Sequence, residues 1–410
     1  MNRVVLAYSG GLDTSVLLKK MILEGNEVIA LTLDLGESDA TTSFAAGDPA
    51  AELQKVKQKA IDLGAYDAVV IDAKERFIEN FAFRALRANA KYQGVYPLSA
   101  ALSRPLIGAL LAETAQKYGA TVVAHGCTGK GNDQVRIELA VHSLAPELET
   151  RAPLREAPLS RPDAMAFAQA NGVPIAHTQA KPYSIDANLW GRSIEAGVLE
   201  DPWNAPPEDA YAWTAAPGKR PTQSEEITIE FTSGIPSWNG LEGAALVSAL
   251  NLAAGKHGIG RIDMVEDRVV GLKSREVYEC PGSVTLLTAH AALERLVLTR
   301  DELRFKAICD QKYAELIYDG LWTSPLRDAL DAFNASHARR VTGKVRVQLY
   351  QGLPTVVGTQ SPHAIYDEKL ATYGAHDAFD HHAADGFIRL HGLQIGVAAQ
   401  VAQRNSKALV

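Results

Sequence analysis

Residues 4–15 read VVLAYSGGLDTS: a short apolar run of β type breaks at two adjacent glycines, flanked by hydroxyls and an aspartate, and opens into the helical pattern VLLKKMI. Gly10 and Gly11 lack a Cβ, so the backbone there can turn sharply and bring its N–H groups against an anion. Thr14 and Ser15 fall where the next helix begins, beside unpaired amides and the positive end of a helix dipole. Strand, glycine turn and helix in this register commit the chain to an α/β unit with a phosphate cradle at a strand tip. A triphosphate suits such a place.

No lysine follows the second glycine, so the loop is not a Walker A motif, and its adjacent glycines do not fit GxGxxG. It resembles the SGGxD(S/T) loop of the ATP pyrophosphatases. That resemblance implies ATP split between its α and β phosphates, with pyrophosphate left in the loop and an oxygen of the substrate adenylated.

Along the first third, strand-like VVLAY, EVIALTLDL, DAVVIDA and ATVVAHG alternate with helical stretches through Glu24, from about Ala51 to Leu63, around Phe77 to Asn89 and from about Ala101 to Tyr118. Repeated βαβα spacing with apolar strands predicts a parallel sheet covered on both faces, with ligands at the carboxyl ends of its strands. The polar run from Glu37 to Pro49 reads as a long surface loop, either a tolerated insertion or a lid. Pro202, Pro206, Pro207, Pro217 and Pro221 mark an extended connection. Beyond it, EEITIEFTSG, GRIDMVEDRVVGL, GSVTLLTAH, GKVRVQLYQG and LPTVVGTQS read as antiparallel strands, with helices near Gly243–Ala254, His290–Thr299 and Asp301–Ile317. The expected fold is α/β: a parallel-sheet nucleotide-binding domain over residues 1–173, an α+β synthetase or substrate-binding domain over 174–374, and a C-terminal segment over 375–410. In that last segment Asp385 is the expected cap of a helix carrying Phe387, Leu390, Ile395 and Val397, which docks on its own domain or on a neighbouring subunit. His376, Asp377, Asp380, His381 and His382 read as a solvated loop, so no metal site from protein groups alone is expected.

With 47% hydrophobic and 22% charged residues the chain is an ordinary globular one, and its 410 residues allow two or three domains. A formal charge of −7 argues against a nucleic-acid partner, which needs a surplus of Lys and Arg. Cys127, Cys280 and Cys309 have no CxxC spacing, so neither a zinc site nor a disulfide framework is implied. The sequence enters a strand at once, and no apolar run nears the length of about eighteen residues that a membrane span takes, so cytoplasm is the expected compartment with no membrane partner.

Residues 124–136 read AHGCTGKGNDQVR, three glycines and a lysine among hydroxyls and amides directly after a strand. Together with AYSGGLDTS this resembles the signature of the argininosuccinate synthase family, as do KPYSIDANLWGRSIEAGVLEDPW from Lys181 and GKHGIGRIDMVEDRVVGLKSREVYE from Lys256. The resemblance implies ATP-dependent joining of citrulline and aspartate for arginine biosynthesis. The ureido oxygen of citrulline attacks the α-phosphate, pyrophosphate leaves, and the aspartate amine displaces AMP from the citrullyl adenylate. It also implies Mg2+ with the nucleotide and a homotetramer. No enzyme nucleophile is needed, because holding three ligands in line and offsetting phosphate charge is work for preorganised donors.

By the same resemblance Ala7, Tyr8, Ser9, Gly10, Gly11, Leu12, Asp13, Thr14 and Ser15 form the ATP loop, with Leu33 and Gly126 on the nucleotide side. Asp13 and Thr14 are the candidates for positioning phosphate and metal. Thr128, Asn132 and Asp133 would hold aspartate; Tyr96, Asn132, Arg136, Ser184, Ser193, Glu266 and Tyr278 would hold citrulline. Arg136 can fork onto a carboxylate, and Glu266 can accept from an amine or a ureido N–H. Lys130, Lys273 and Arg275 are further candidate phosphate partners. The chain departs from the family pattern at Ala100 and Ala101, where a Thr-Ser pair is common, and at Cys127, where Ala is usual. Two rivals share the first loop: a tRNA-thiolating pyrophosphatase, for which Cys127 would be the working thiol, and a non-catalytic nucleotide sensor.

Overall fold

The computed structural model describes residues 2–36, 49–174 and 183–407, so the expected loop after Glu37 lies outside the described residues up to Pro49, where a helix begins. Five parallel strands, β1 (Arg3–Ala7), β2 (Glu27–Asp34), β3 (Asp67–Asp72), β4 (Val122–Ala124) and β5 (Glu149–Arg151), lie in the order β3-β2-β1-β4-β5. The chain winds outward from β1 to β3, then returns to the other side of β1 with β4. That reversal makes the gap between the β1 and β4 tips a topological switch point, where sheets of this kind bind ligands. The central strand is buried on both faces, hence the near-continuous run Val4, Val5, Leu6. β5 was not among the expected strands: three residues, Glu-Thr-Arg, at a sheet edge carry no apolar run to betray them.

Two antiparallel sheets follow. One contains β6 (Ser184–Asn188), β7 (Gly191–Glu195), β10 (Arg261–Asp267) and β11 (Lys273–Glu279), ordered β10-β11-β7-β6. The other contains β8 (Glu225–Thr232), β9 (Ile235–Ser237), β12 (Gly343–Tyr350) and β13 (Leu353–Gln360), ordered β13-β12-β8-β9. In β8 the buried Ile227, Ile229 and Phe231 alternate with exposed residues, the mark of a sheet with one packed face.

The expected strand GSVTLLTAH is instead the first half of a helix, Pro281–Val297. Its β-branched Val and Thr suggest a strand, but Leu286, Ala289, His290, Leu293 and Val297 are buried at helical spacing, and Pro281 sits in the first turn where its missing N–H costs nothing. Tertiary packing overrides the local preference.

The helix Ser99–Tyr118 lies at the centre of the architecture. It starts after Leu98, whose φ of +68° turns the chain into it, and ends at Gly119. A Cβ added to Gly108 would fall 2.6 Å from the Ala140 Cβ, so glycine is what lets the helix Asp133–Leu144 lie tight against it. One continuous core joins Val5 of the parallel sheet, Tyr96 and Leu102 beside that helix, Tyr278 of β11 and Leu286.

The chain divides into two compact units, 1–363 and 364–410. In the second, the helix His381–His391 is capped by Asp380, which accepts from the His382 and Ala383 N–H groups. Asp385, the expected cap, lies inside that helix and pairs with Arg389 at 3.3 Å. The sequence misleads because both aspartates precede apolar residues at helical spacing. Asp377 pairs with His381 at 2.7 Å, so this cluster serves a helix start. Among the described residues no helix is long and apolar enough to cross a membrane.

Candidate active site

The loop after β1 is braced from beneath. Tyr8 is buried, its carbonyl accepts from Thr32 Oγ1 at 2.8 Å, and its hydroxyl meets Ser15 Oγ at 3.1 Å. Ser15 is fully buried, so its hydroxyl serves the loop from the inside. Ser9, Gly11 and Asp13 are exposed, while Ala7, Gly10, Leu12 and Thr14 are half-buried. Ser9 Oγ and Thr14 Oγ1 stand 3.1 Å apart, two hydroxyls converging at the helix mouth. Gly10 has a φ of +77°, and a Cβ there would meet Val56 at 2.9 Å, which explains the glycine. Lys59, not singled out in the sequence, donates from Nζ to the Gly10 carbonyl at 2.8 Å. Leu33 stands half-buried near the end of β2, before Asp34, which pairs with Lys74.

The loop after β4 lies against the first. A Cβ on Gly126 would come 3.4 Å from Thr14 Cγ2 and 3.3 Å from Leu17 Cδ1, so the two glycine-rich turns stand side by side at neighbouring strand tips. Beyond Gly126 the loop exposes Thr128, Gly129 and Lys130, then buries Asn132. Cys127 is pushed up to about 12 by burial and by the nearby Asp133 carboxylate, which leaves it a thiol and a poor nucleophile.

Past this loop a small cavity of about 100 Å³ is lined in part by Tyr96, Ala100, Asn132, Asp133, Arg136, Ser193, Glu266 and Tyr278. Strand register explains the convergence. Tyr278 pairs with Ser193, and Ser193 with Asp186, while Glu266 pairs with Ser274. Side chains alternate along a strand, so Asp186, Ser193, Glu195, Glu266, Glu276 and Tyr278 share one face of this sheet. Ser184, opposite Glu195, shares the face but lies at its exposed end and outside the cavity lining.

Glu266 accepts from both Tyr278 (2.8 Å) and Tyr318 (2.5 Å). Burial pushes its carboxyl up, and the two hydroxyls hold it back. Tyr318 in turn accepts from Asn132 Nδ2 at 3.0 Å, and the Asn132 Oδ1 takes the Val269 N–H at 2.9 Å, which fixes the orientation of the amide. Tyr96 stacks on Tyr278 with ring centres 4.0 Å apart. Its hydroxyl accepts the Ala100 N–H at 2.8 Å, a backbone bond that does not depend on the side chain at position 100. Ala101 is buried in the core.

Asp133 lies between two guanidinium groups, 2.7 Å from Arg104 Nη2 and 3.3 Å from Arg136 Nη1, and Arg104 also reaches Asp186 at 2.6 Å. Burial works against ionisation of Asp133, but the two arginines outweigh it and hold the carboxyl down at about 2. Arg136 is 3% exposed and donates from Nε to the Tyr318 carbonyl at 2.8 Å, yet its Nη2 is buried with no protein partner. Leaving such a donor unmet is costly.

Arg104, Asp186 and Tyr318, which the sequence did not single out, bond these candidate residues, and of the three Asp186 lines the cavity. Of the further phosphate candidates, Arg275 is committed to Asp263 and to the Leu199 and Asp201 carbonyls, and Lys273 pairs with Asp267 at 2.5 Å. Lys130 is exposed on the second loop.

Comparison with known proteins agrees along the whole chain. The family models described as "Arginosuccinate synthase N-terminal HUP domain" and "Arginosuccinate synthase C-terminal domain" match residues 3–174 and 183–398. Argininosuccinate synthases of Bacillus thuringiensis (strain Al Hakam) and Bacillus anthracis are each 51% identical over 411 residues, covering 99% of this chain and 99% of theirs. A solved 4-thiouridine synthetase–RNA complex with bound ATP aligns with 42% of this chain and 41% of its own at 13% identity and a TM-score of 0.30, too remote to argue from. The chain belongs to the argininosuccinate synthase family.

Proposed function

We propose that this chain ligates citrulline to aspartate at the expense of ATP, through a citrullyl adenylate, releasing AMP and pyrophosphate in arginine biosynthesis. The contact of Gly126 with Thr14 carries the reading: it brings the phosphate cradle and the amino-acid loop to one crevice at the switch point.

In this assignment Ser9, Gly11 and Thr14 face the leaving pyrophosphate, with Gly10 and Ser15 shaping the loop behind them. Ala7, Tyr8, Leu12, Leu33 and Gly126 complete the nucleotide side. Mg2+ would come with the triphosphate, since it keeps waters and takes only one or two carboxylates from a protein; the exposed Asp13 fits that part. Citrulline lies in the cavity among Tyr96, Asn132, Ser193, Glu266 and Tyr278, with Ser184 at its open end. Its carboxylate meets the unpaired Nη2 of Arg136. Glu266, already accepting two tyrosine hydroxyls, has lone pairs left for an N–H of the ligand. Aspartate is held by Thr128 and Asn132, with Asp133 the carboxylate for its ammonium. The two arginines on Asp133 keep that group ionised.

Residues 1–173 then supply the nucleotide site, 174–374 the sheet that completes it, and 375–410 an oligomerisation segment. Phe387, Ile388, Leu390, Leu393, Ile395 and Val397 are each more than half exposed, and this supports burial against other copies in a homotetramer. A cytoplasmic location fits the free cysteines.

The test is to incubate the protein with ATP, magnesium, citrulline and aspartate, then omit each amino acid in turn. Pyrophosphate release should require citrulline, and argininosuccinate should require both. Release indifferent to citrulline would overturn the assignment.

A further inference from the structure

The second glycine-rich loop does little to hold its own shape. Among the described residues, one main-chain hydrogen bond lies inside 127–132, from the Gly131 N–H to the Thr128 carbonyl at 3.3 Å. Two glycines in that stretch leave the backbone many alternatives.

Gln134 Nε2 on the Gly131 carbonyl at 3.2 Å and Tyr318 on Asn132 hold part of it, and further restraint comes from the turn that joins β10 to β11. There the Arg268 N–H bonds the Leu272 carbonyl at 2.7 Å, which closes the turn. The next residue, Val269, donates its N–H to Asn132 Oδ1 at 2.9 Å. The Arg268 guanidinium donates from Nη1 to the Lys130 carbonyl at 3.3 Å. Its Nη2 is shared between Glu195 and Glu276, the latter at 2.8 Å. Two carboxylates on neighbouring strands thus aim one fork at the loop's main chain. A lysine, a point charge without a fork, cannot serve the carboxylates and the carbonyl in the same geometry.

We propose that Arg268 is a positioning residue for aspartate: by fixing the Lys130 carbonyl from the neighbouring sheet, it holds Thr128 and Asn132 in the arrangement that receives the second substrate. This rests on the ligase reading above and adds that half of the aspartate site is set by the β10–β11 turn.

The test compares R268Q and R268K with the parent protein. Two readouts are taken: steady-state constants for each substrate, and citrulline-dependent exchange of labelled pyrophosphate into ATP without aspartate. R268Q should raise KM for aspartate about 30-fold, the scale of a lost charge-assisted hydrogen bond, and KM for citrulline less, through the shared Asn132 and the cavity wall that Arg268 lines, with KM for ATP and the exchange at saturating citrulline unchanged. R268K should lie between. Equal rises in KM for ATP and aspartate, or loss of exchange at an unchanged melting temperature, would overturn the proposal. Should R268Q not fold, the same split is read in R268K, where an unchanged KM for aspartate counts against it. Absence of citrulline-dependent exchange in the parent protein would instead sink the ligase reading itself.

Discussion

Gly126 and Thr14, 112 positions apart in sequence, stand so close that a Cβ on the first would lie 3.4 Å from the methyl of the second. A side chain larger than a methyl at position 126 therefore presses on the mouth of the first loop. G126A, whose methyl would be in ordinary contact with Thr14, should change KM for ATP by no more than about threefold, and G126V should abolish turnover. KM for ATP, and the rise in melting temperature that ATP produces, are the measurements. An unaltered KM in G126V would mean that the two turns do not share a ligand.

Arg136 is the clearest case for a separable amino-acid effect. R136A should raise KM for citrulline by about 30-fold while leaving KM for ATP unchanged. R136K should recover little, because an ammonium cannot reproduce the fork. Equal effects on both substrates would contradict the assignment.

Asp13 is exposed at the first turn of the helix Leu12–Leu23, so D13A should leave the melting temperature alone and abolish turnover. K59M removes the amine on the Gly10 carbonyl and should raise KM for ATP without touching KM for citrulline. Normal turnover in D13A would remove Asp13 from the mechanism.

Away from the site, Glu302 closes a capping box with Thr299 and pairs with Arg340. The Arg340 guanidinium, helped by Thr299, holds its carboxyl down at about 2 from an ordinary 4.5. A depressed folded value means that the unfolded chain binds the proton more readily. The stabilisation is therefore complete above 4.5 and fades as pH falls toward about 2. T299A should cost about 1 kcal/mol in urea unfolding at pH 7. E302Q should also destabilise at pH 7, with the gap to the parent closing below pH 4.5. A gap independent of pH would show that the charge of Glu302 is not what matters.

Both glycine-rich loops could be read in the sequence because their logic is local: a strand, glycines and a helix start within a dozen residues. The face shared by Ser193, Glu266 and Tyr278 followed only from family resemblance, since strand register is decided by packing at long range. Arg104, Asp186, Tyr318 and Arg268 gave no local sign. Each is an ordinary residue of a helix, strand or turn until the fold sets it beside a partner far along the chain. The helix Pro281–Val297 was masked by its β-branched start, and β5 by its brevity.

The run from the Val269 amide through Asn132 and Tyr318 to Glu266 has a direction, every proton pointing the same way. Its terminus is a wall of lone pairs that welcomes hydrogen and turns away oxygen. In the proposed assignment a ureido group would satisfy that wall with its nitrogens, whereas a carboxylate of equal bulk would meet repulsion, which would make selectivity there a matter of polarity before one of size.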